Sequence, residues 1–203
     1  MYVIGLTGGI ASGKSLVSSI LAELGAVVLD VDKVGHEIIK PNEPAYREIV
    51  EYFGRDILMD NGKIDRKKLG KMVFSDPKKL KVLNRITHYR IRERVREILE
   101  KYKNDGVTVV VVEAALLFEM EMHEMVDEVW VVWANKKQQI ERLIKRDGLT
   151  EEEAEKRIAA QLPPEQKVLR ADRVIYNSGD VEDTKRQVAA LWHELSLKLL
   201  KKR

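Results

Sequence analysis

Gly8-Gly9-Ile10-Ala11-Ser12-Gly13-Lys14-Ser15 satisfies the pattern G-x-x-x-x-G-K-[ST] at every fixed position. Ahead of it, Tyr2-Val3-Ile4-Gly5-Leu6 is a short apolar run that reads as a buried strand. Behind it, Leu16, Val17, Ile20, Leu21 and Leu24 recur at the period of an amphipathic helix. Strand, glycine-rich loop and helix N-terminus, in that order, form the context in which this pattern binds phosphate. Gly8 and Gly13 admit backbone conformations that a Cβ hinders, so successive N–H groups converge on phosphate oxygens. The positive end of the helix dipole adds to the attraction. Lys14 supplies a point charge for the β- and γ-phosphates, and the Ser15 hydroxyl is a ligand for Mg²⁺. The predicted nucleotide-binding set is Gly8, Gly9, Ala11, Ser12, Gly13, Lys14, Ser15 and Leu16.

A length of 203 residues suits a single domain carrying insertions. Residues of the hydrophobic class make up 44% of the chain, enough for a real core. No run approaches the ~18 apolar residues of a membrane span. The chain runs at once into a strand, so neither signal nor transit peptide is expected, and a cytoplasmic location is the default. With no cysteine, disulfides, thiolate metal sites and thiol catalysis are excluded. A net charge of +3 from 36 basic and 33 acidic residues lacks the one-sided excess of a nucleic-acid binder.

Further strands are predicted at 26–29, 107–112, 128–133 and 173–176, each a short β-branched or aromatic run apolar enough to be covered on both faces. Helical patterns separate them, which predicts a three-layer α/β fold: a five-stranded parallel sheet with helices on both faces. A final helix is expected over 181–200. Between the second and third strands, residues 31–104 show helical spacing punctuated by turn signals at Pro41-Asn42, Asp60-Asn61-Gly62 and Asp76-Pro77. This stretch is too long for a simple crossover and reads as a helical acceptor-binding insertion. A second stretch, 135–171, is dense in Arg, Lys, Glu and Gln; it is expected to bury little and to act as a mobile lid. The core is then 1–30, 105–134 and 172–203 of one domain. Two insertions around a phosphate site suit a small-molecule kinase.

Asp30 and Asp32 end the second strand, where side chains line the ligand crevice of an open α/β sheet. Alternation along an extended segment puts both carboxylates on one side. Asp30 is read as the more structural and Asp32 as the general base that takes a proton from an acceptor hydroxyl; capping or ion pairing is the other reading of the pair. Glu113 ends the third strand as a candidate carboxylate on the metal side, acting through water. In the lid, Arg142, Arg146 and Arg157 are candidates for the charge that develops on the transferring phosphoryl group, with ion pairs to nearby glutamates as the alternative. The four histidines are scattered, so no zinc site is expected. Asn135-Lys136-Lys137-Gln138 lacks the Asp with which GTPases read guanine.

The ordered set of motifs resembles the dephospho-CoA kinase family almost end to end. Gly5 to Ser15 is similar to its opening G-L-T-G-G-I-G-S-G-K-S, and Asp30-Val31-Asp32 with His36 to its D-A-D segment. Leu83-Asn84-Arg85-Ile86-Thr87-His88 matches L-N-x-I-x-H, and Leu116-Leu117-Phe118-Glu119 matches the tail of P-L-L-F-E. Gln139 to Leu143, Arg146-Asp147 and Ala160-Gln161 follow its lid pattern, and Ala171-Asp172 with Asn177 its closing A-D-x-x-x-x-N. Departures fall at Ala11 for Gly, Leu16 for Thr, Tyr89 for Pro and Ala115 for Pro. The resemblance implies a nucleoside-monophosphate-kinase-like fold and phosphorylation of the ribose 3′-hydroxyl of dephospho-coenzyme A with ATP and Mg²⁺. It implies Asp32 as base, Lys14 and Arg142 as its catalytic partners, Arg146 and Asn177 beside the nucleotide, and His88, Arg92, Leu116 and Leu117 at the acceptor. A monomer or weak homo-oligomer acting on small molecules is expected. From the residues alone, a nucleoside-monophosphate kinase and a nucleotide-gated binding module stay open.

Overall fold

A computed structural model describes residues 1–201. In chain order the elements are strand β1 (Tyr2–Gly8), helix α1 (Lys14–Glu23), β2 (Val27–Asp30), α2 (Val31–Glu37), α3 (Pro44–Phe53), α4 (Arg66–Phe74), α5 (Pro77–Asn104), β3 (Val109–Glu113), β4 (Glu128–Trp133), α6 (Lys136–Asp147), α7 (Glu151–Ala159), α8 (Pro164–Val168), β5 (Arg173–Tyr176) and α9 (Val181–Leu200). The chain divides into two compact units: residues 1–30 with the chain from Asp105 onward, and Val31–Asn104.

The first unit holds a five-stranded sheet in the order β2-β3-β1-β4-β5, every pairing parallel. Parallel strands need long crossovers and cover on both faces, which is why they read as unbroken apolar runs. All seven residues of β1 are buried, as are the four valines of β3. On one face Tyr2, Ile4 and Leu6 join Val109, Val111, Trp130, Val132 and Ile175 in a core closed by Val17, Ile20 and Leu21 of α1 and Val188 and Leu195 of α9. Each fully buried side chain of this kind contributes about 1.5–3 kcal/mol. On the other face, a Cβ on Gly5 would lie only 3.0 Å from Leu117 and 3.1 Å from Val126, so that layer is packed against the bare backbone of β1.

The chain runs outward from β1 to β2 by way of β3's place, then to the opposite side through β4 and β5. The carboxyl end of β1 is therefore the switch point at which open sheets bind ligands. The expected fold class holds. β4, β5 and α9 lie where the sequence places them, β1 runs on through Thr7 and Gly8, and β3 starts two residues late.

The second unit is helical. Ala45, Ile49 and Phe53 of α3 recur every four residues and are buried, as are Ile86, Ile91, Val95 and Leu99 of α5. Asp76 starts α5 by accepting from the amides of Lys78 and Lys79, and Pro77 occupies the first turn, where its missing N–H costs nothing. Arg90 of α5 reaches Glu48 of α3 through Nε at 2.8 Å and Glu93 through Nη1 at 2.7 Å. Leu58 and Ile64 form an isolated antiparallel bridge in this unit, turned around Gly62 at φ 75°. Among the described residues, no helix is long and apolar enough to cross a membrane.

Candidate active site

The loop between β1 and α1 is shaped by its glycines and locked by its neighbours. Gly13 sits at φ 98°, in the left-handed region, and a Cβ there would fall 1.9 Å from Asn177 Nδ2. A Cβ on Gly8 would meet Val132 O at 2.4 Å, so only glycine lets β1 and β4 stay paired to their ends. Ser12 N donates to Gly9 O at 3.1 Å, and the Lys14 ammonium lies 3.4 Å from Gly8 O. α1 begins at Lys14 with Gly13 as its cap residue, and no side chain caps its first turn. A helix N-terminus of this kind, positive by its dipole, attracts phosphate. Ala11, the departure from glycine, also adopts a left-handed conformation at φ 56°.

α6 brings cations to this loop. Ala11, Gly13, Lys14 and Ser15 share one cavity of about 570 Å³ with Arg142, Lys145 and Arg146. Asn135 starts α6, accepting from Gln138 N at 2.9 Å, and Ile140 and Leu143 anchor it in a small cluster with Ala154, Ile10 and Ala11. The stretch from 135 thus buries more than its composition suggests. Arg142 donates through Nη1 to Ala11 O and Ser12 O, both at 3.2 Å, and through Nη2 to Asn177 O at 2.9 Å. It grips the backbone of the loop. Arg146 instead forks onto Asp147 at 2.7 and 3.0 Å, and Arg157 reaches the same carboxylate at 3.0 Å. Hydrogen bonding to Arg146 holds the Asp147 carboxyl below its ordinary range. Arg146 and Arg157 thus pair with Asp147, not with the glutamates of the alternative reading, at an exposed site where such pairs are weak and can give way to another anion.

Asn177 lies behind the loop. It is buried, its Nδ2 donates to Ser12 O at 2.7 Å, and its Oδ1 accepts from Thr184 Oγ1 at 2.9 Å. Both ends of the amide are used by the protein, so Asn177 braces the loop where a nucleotide contact was expected.

The strand-end carboxylates need two corrections. β2 stops at Asp30 and α2 starts at Val31, so Asp32 lies in the first turn of a helix and alternation does not apply to the pair. Asp32 is exposed and Asp30 half-buried. β3 also lies between β1 and β2, with Asp30 in register with Glu113 and Glu113 in register with Leu6. At ~4.8 Å per strand, Glu113 is the carboxylate next to β1, and Asp30 is one strand further out. Leu117, expected at the acceptor, is fully buried against Gly5, while Leu116 is half-buried. An apolar residue in the turn after β3 points inward against a glycine; its type does not report its direction. His88 and Arg92 lie on α5 in the second unit, four residues apart and so on one helix face.

Sequence reasoning missed the buried polar groups. Gln139 is buried with Nε2 donating to Ala134 O at 2.8 Å, and Gln161 accepts from Ile10 N at 2.8 Å. Both fall in the lid pattern of the resemblance, but their place in a polar run reads as solvated surface and did not point to these bonds. Among the described residues, no group of three or more His, Cys, Asp or Glu side chains forms a metal site by itself.

Comparison with known proteins extends the match beyond the loop. The family model described as dephospho-CoA kinase matches residues 2–183. A dephospho-CoA kinase of Carboxydothermus hydrogenoformans is 46% identical over 189 residues, 93% of this chain and 92% of that protein. A solved Thermus thermophilus structure aligns with a TM-score of 0.82 at 34% identity, covering 96% of this chain and 97% of that one. The solved dephospho-CoA kinase of Campylobacter jejuni aligns with a TM-score of 0.73 at 30% identity, covering 97% and 98%. The likeness runs from the phosphate-binding loop into the closing helix, and this chain belongs to the dephospho-CoA kinase family.

Proposed function

We propose that this chain transfers the γ-phosphoryl group of ATP to the ribose 3′-hydroxyl of dephospho-coenzyme A, giving coenzyme A and ADP in the last step of coenzyme A biosynthesis. The observation that carries the donor half is the single cavity shared by Lys14, Ser15 and the α6 cations Arg142 and Arg146. Family membership carries the acceptor half. Phosphoryl transfer leaves little covalent work to the protein, so catalysis rests on position and on charge placed around the γ-oxygens. Lys14 meets the β- and γ-phosphates, and Arg142 and Arg146 supply guanidinium donors from the lid stretch 135–171. Asp32 accepts the proton of the attacking hydroxyl. His88, Arg92 and Leu116 belong to the acceptor side.

Magnesium fits the residues present. It keeps several waters and needs only one or two protein oxygens beside the phosphates. Ser15, exposed in the first turn of α1 and lining the loop cavity, offers its hydroxyl, and Glu113 offers a carboxylate through water. When bound, the ion neutralises charge across the β- and γ-oxygens. A cytoplasmic location goes with this reading, since ATP is a cytoplasmic donor, as does a monomer or weak homo-oligomer. A coupled ADP-release assay tests the proposal. Turnover that requires dephospho-coenzyme A is expected; folded protein without it would refute the reading.

A further inference from the structure

Lys167 of α8 is fully buried. Taking an ammonium out of water costs several kcal/mol unless it is paired and hydrogen-bonded. Its Nζ donates to Ala115 O at 2.7 Å and lies 3.4 Å from Glu119 Oε1, both in the segment that follows β3. Burial pushes the ammonium below the ordinary lysine range, against the pull of Glu119.

The partners of this lysine lead to the phosphate-binding loop from two directions. Ala115 O also takes the Thr7 hydroxyl at 3.4 Å, at the end of β1. Glu119 Oε1 also accepts from Leu162 N at 3.2 Å, in the connection between α7 and α8. The adjacent residue, Gln161, accepts the loop amide of Ile10. The contacts therefore close a ring through Thr7, Ala115, Lys167, Glu119, residues 161–162 and Ile10. Gly8 and Gly9 are the residues spanned by its two ends. A pair needed for stability alone is replaced by apolar packing at little cost; this one touches both ends of the leading half of the loop.

We propose that Lys167, Glu119 and Gln161 form a latch that sets the leading half of the phosphate-binding loop, with Lys167 as its positioning residue for ATP. The proposal rests on the reading of that loop as the ATP site. Without Nζ, α8 loses its tie to Ala115 O and Glu119 loses the cation that holds its carboxylate beside Leu162 N, so the 161–162 connection shifts, Gln161 loosens its hold on Ile10, and the loop amides no longer converge.

The test titrates wild type, Lys167→Met, Gln161→Met and the double variant Lys167→Met/Glu119→Gln with a non-hydrolysable ATP analogue by calorimetry, and records Tm. Lys167→Met is expected to lose Tm, because half-buried Glu119 loses its counter-ion and keeps only the Leu162 amide, and to bind the analogue about tenfold more weakly. The double variant regains Tm by restoring charge balance while its binding stays weak. Gln161→Met keeps its Tm and weakens binding about three- to tenfold, the range for one lost hydrogen bond. In turnover, KM for ATP rises and KM for the acceptor does not. Wild-type affinity in Gln161→Met, or recovery of Tm and affinity together in the double variant, overturns the latch. If Lys167→Met does not fold, the other two variants decide. Wild type that binds the analogue but does not phosphorylate dephospho-coenzyme A overturns the functional reading alone, and wild type that binds no analogue overturns both.

Discussion

Ala11 holds a left-handed conformation at φ 56° in a loop position where the family has glycine. An L-residue there costs about 1–2 kcal/mol. Its methyl group is not idle, since it packs with Ile10 on the cluster of Ile140, Leu143 and Ala154. Ala11→Gly relieves the strain, gives up that contact and adds about 0.5–1 kcal/mol of freedom to the unfolded chain. A net change within about 1 kcal/mol is expected by urea unfolding; a loss of several would show that the methyl group supports the lid. Asp32→Asn is expected to lower kcat by roughly 10–100-fold, at the low end of general-base effects because the transition state is loose, while ATP affinity holds. An unchanged kcat would remove the base role. At this scale the loop was legible because its pattern dictates local backbone. Leu117 and Asn177 were not, because residue type leaves open whether a side chain turns toward the crevice or beneath it.

At the scale of elements, α6 carries the cations and its placement depends on its first turn. Asn135→Ala removes the cap on Gln138 N and is expected to cost about 1 kcal/mol, with a weaker grip of Arg142 on the loop. Equilibrium unfolding and ATP titration report the two effects. In α7, Thr150 and Glu153 form a reciprocal capping box, and hydrogen bonds from the Thr150 backbone and then its side chain hold the Glu153 carboxyl below its ordinary range. Because the folded-state pKa is depressed, this support is present above the unfolded value of about 4.3 and fades as pH falls through the folded one. Amide exchange in α7 should therefore accelerate, relative to α1, as pH falls below about 4.3. β4, β5 and α9 were legible because buried parallel strands are runs of β-branched residues and the last helix has one apolar face. The strand-to-helix switch at Val31 was not, since Asp30-Val31-Asp32 fits strand alternation and a helix start equally well.

For the whole molecule, the sheet fixes where chemistry happens. Trp130 is almost fully buried at the centre of β4, within the core that α1 and α9 close. Trp130→Ala is expected to cost about 3–5 kcal/mol and to lower apparent activity through the folded fraction, not through KM. The topology places the phosphate loop at the switch point, and the sequence announced it through helical gaps between apolar runs. The ring through Lys167 was illegible for the opposite reason: its members come from three distant segments, and no local pattern pairs Lys167 with Glu119 or Gln161 with Ile10. The central claim is the acceptor, and the most direct measurement compares kcat/KM for dephospho-coenzyme A, AMP, CMP and UMP with ATP as donor. The account predicts efficient turnover with dephospho-coenzyme A and at least about a hundredfold less with each monophosphate, since a site built around one acceptor leaves its polar groups unpaired with another. A monophosphate used as well as or better than dephospho-coenzyme A would contradict it.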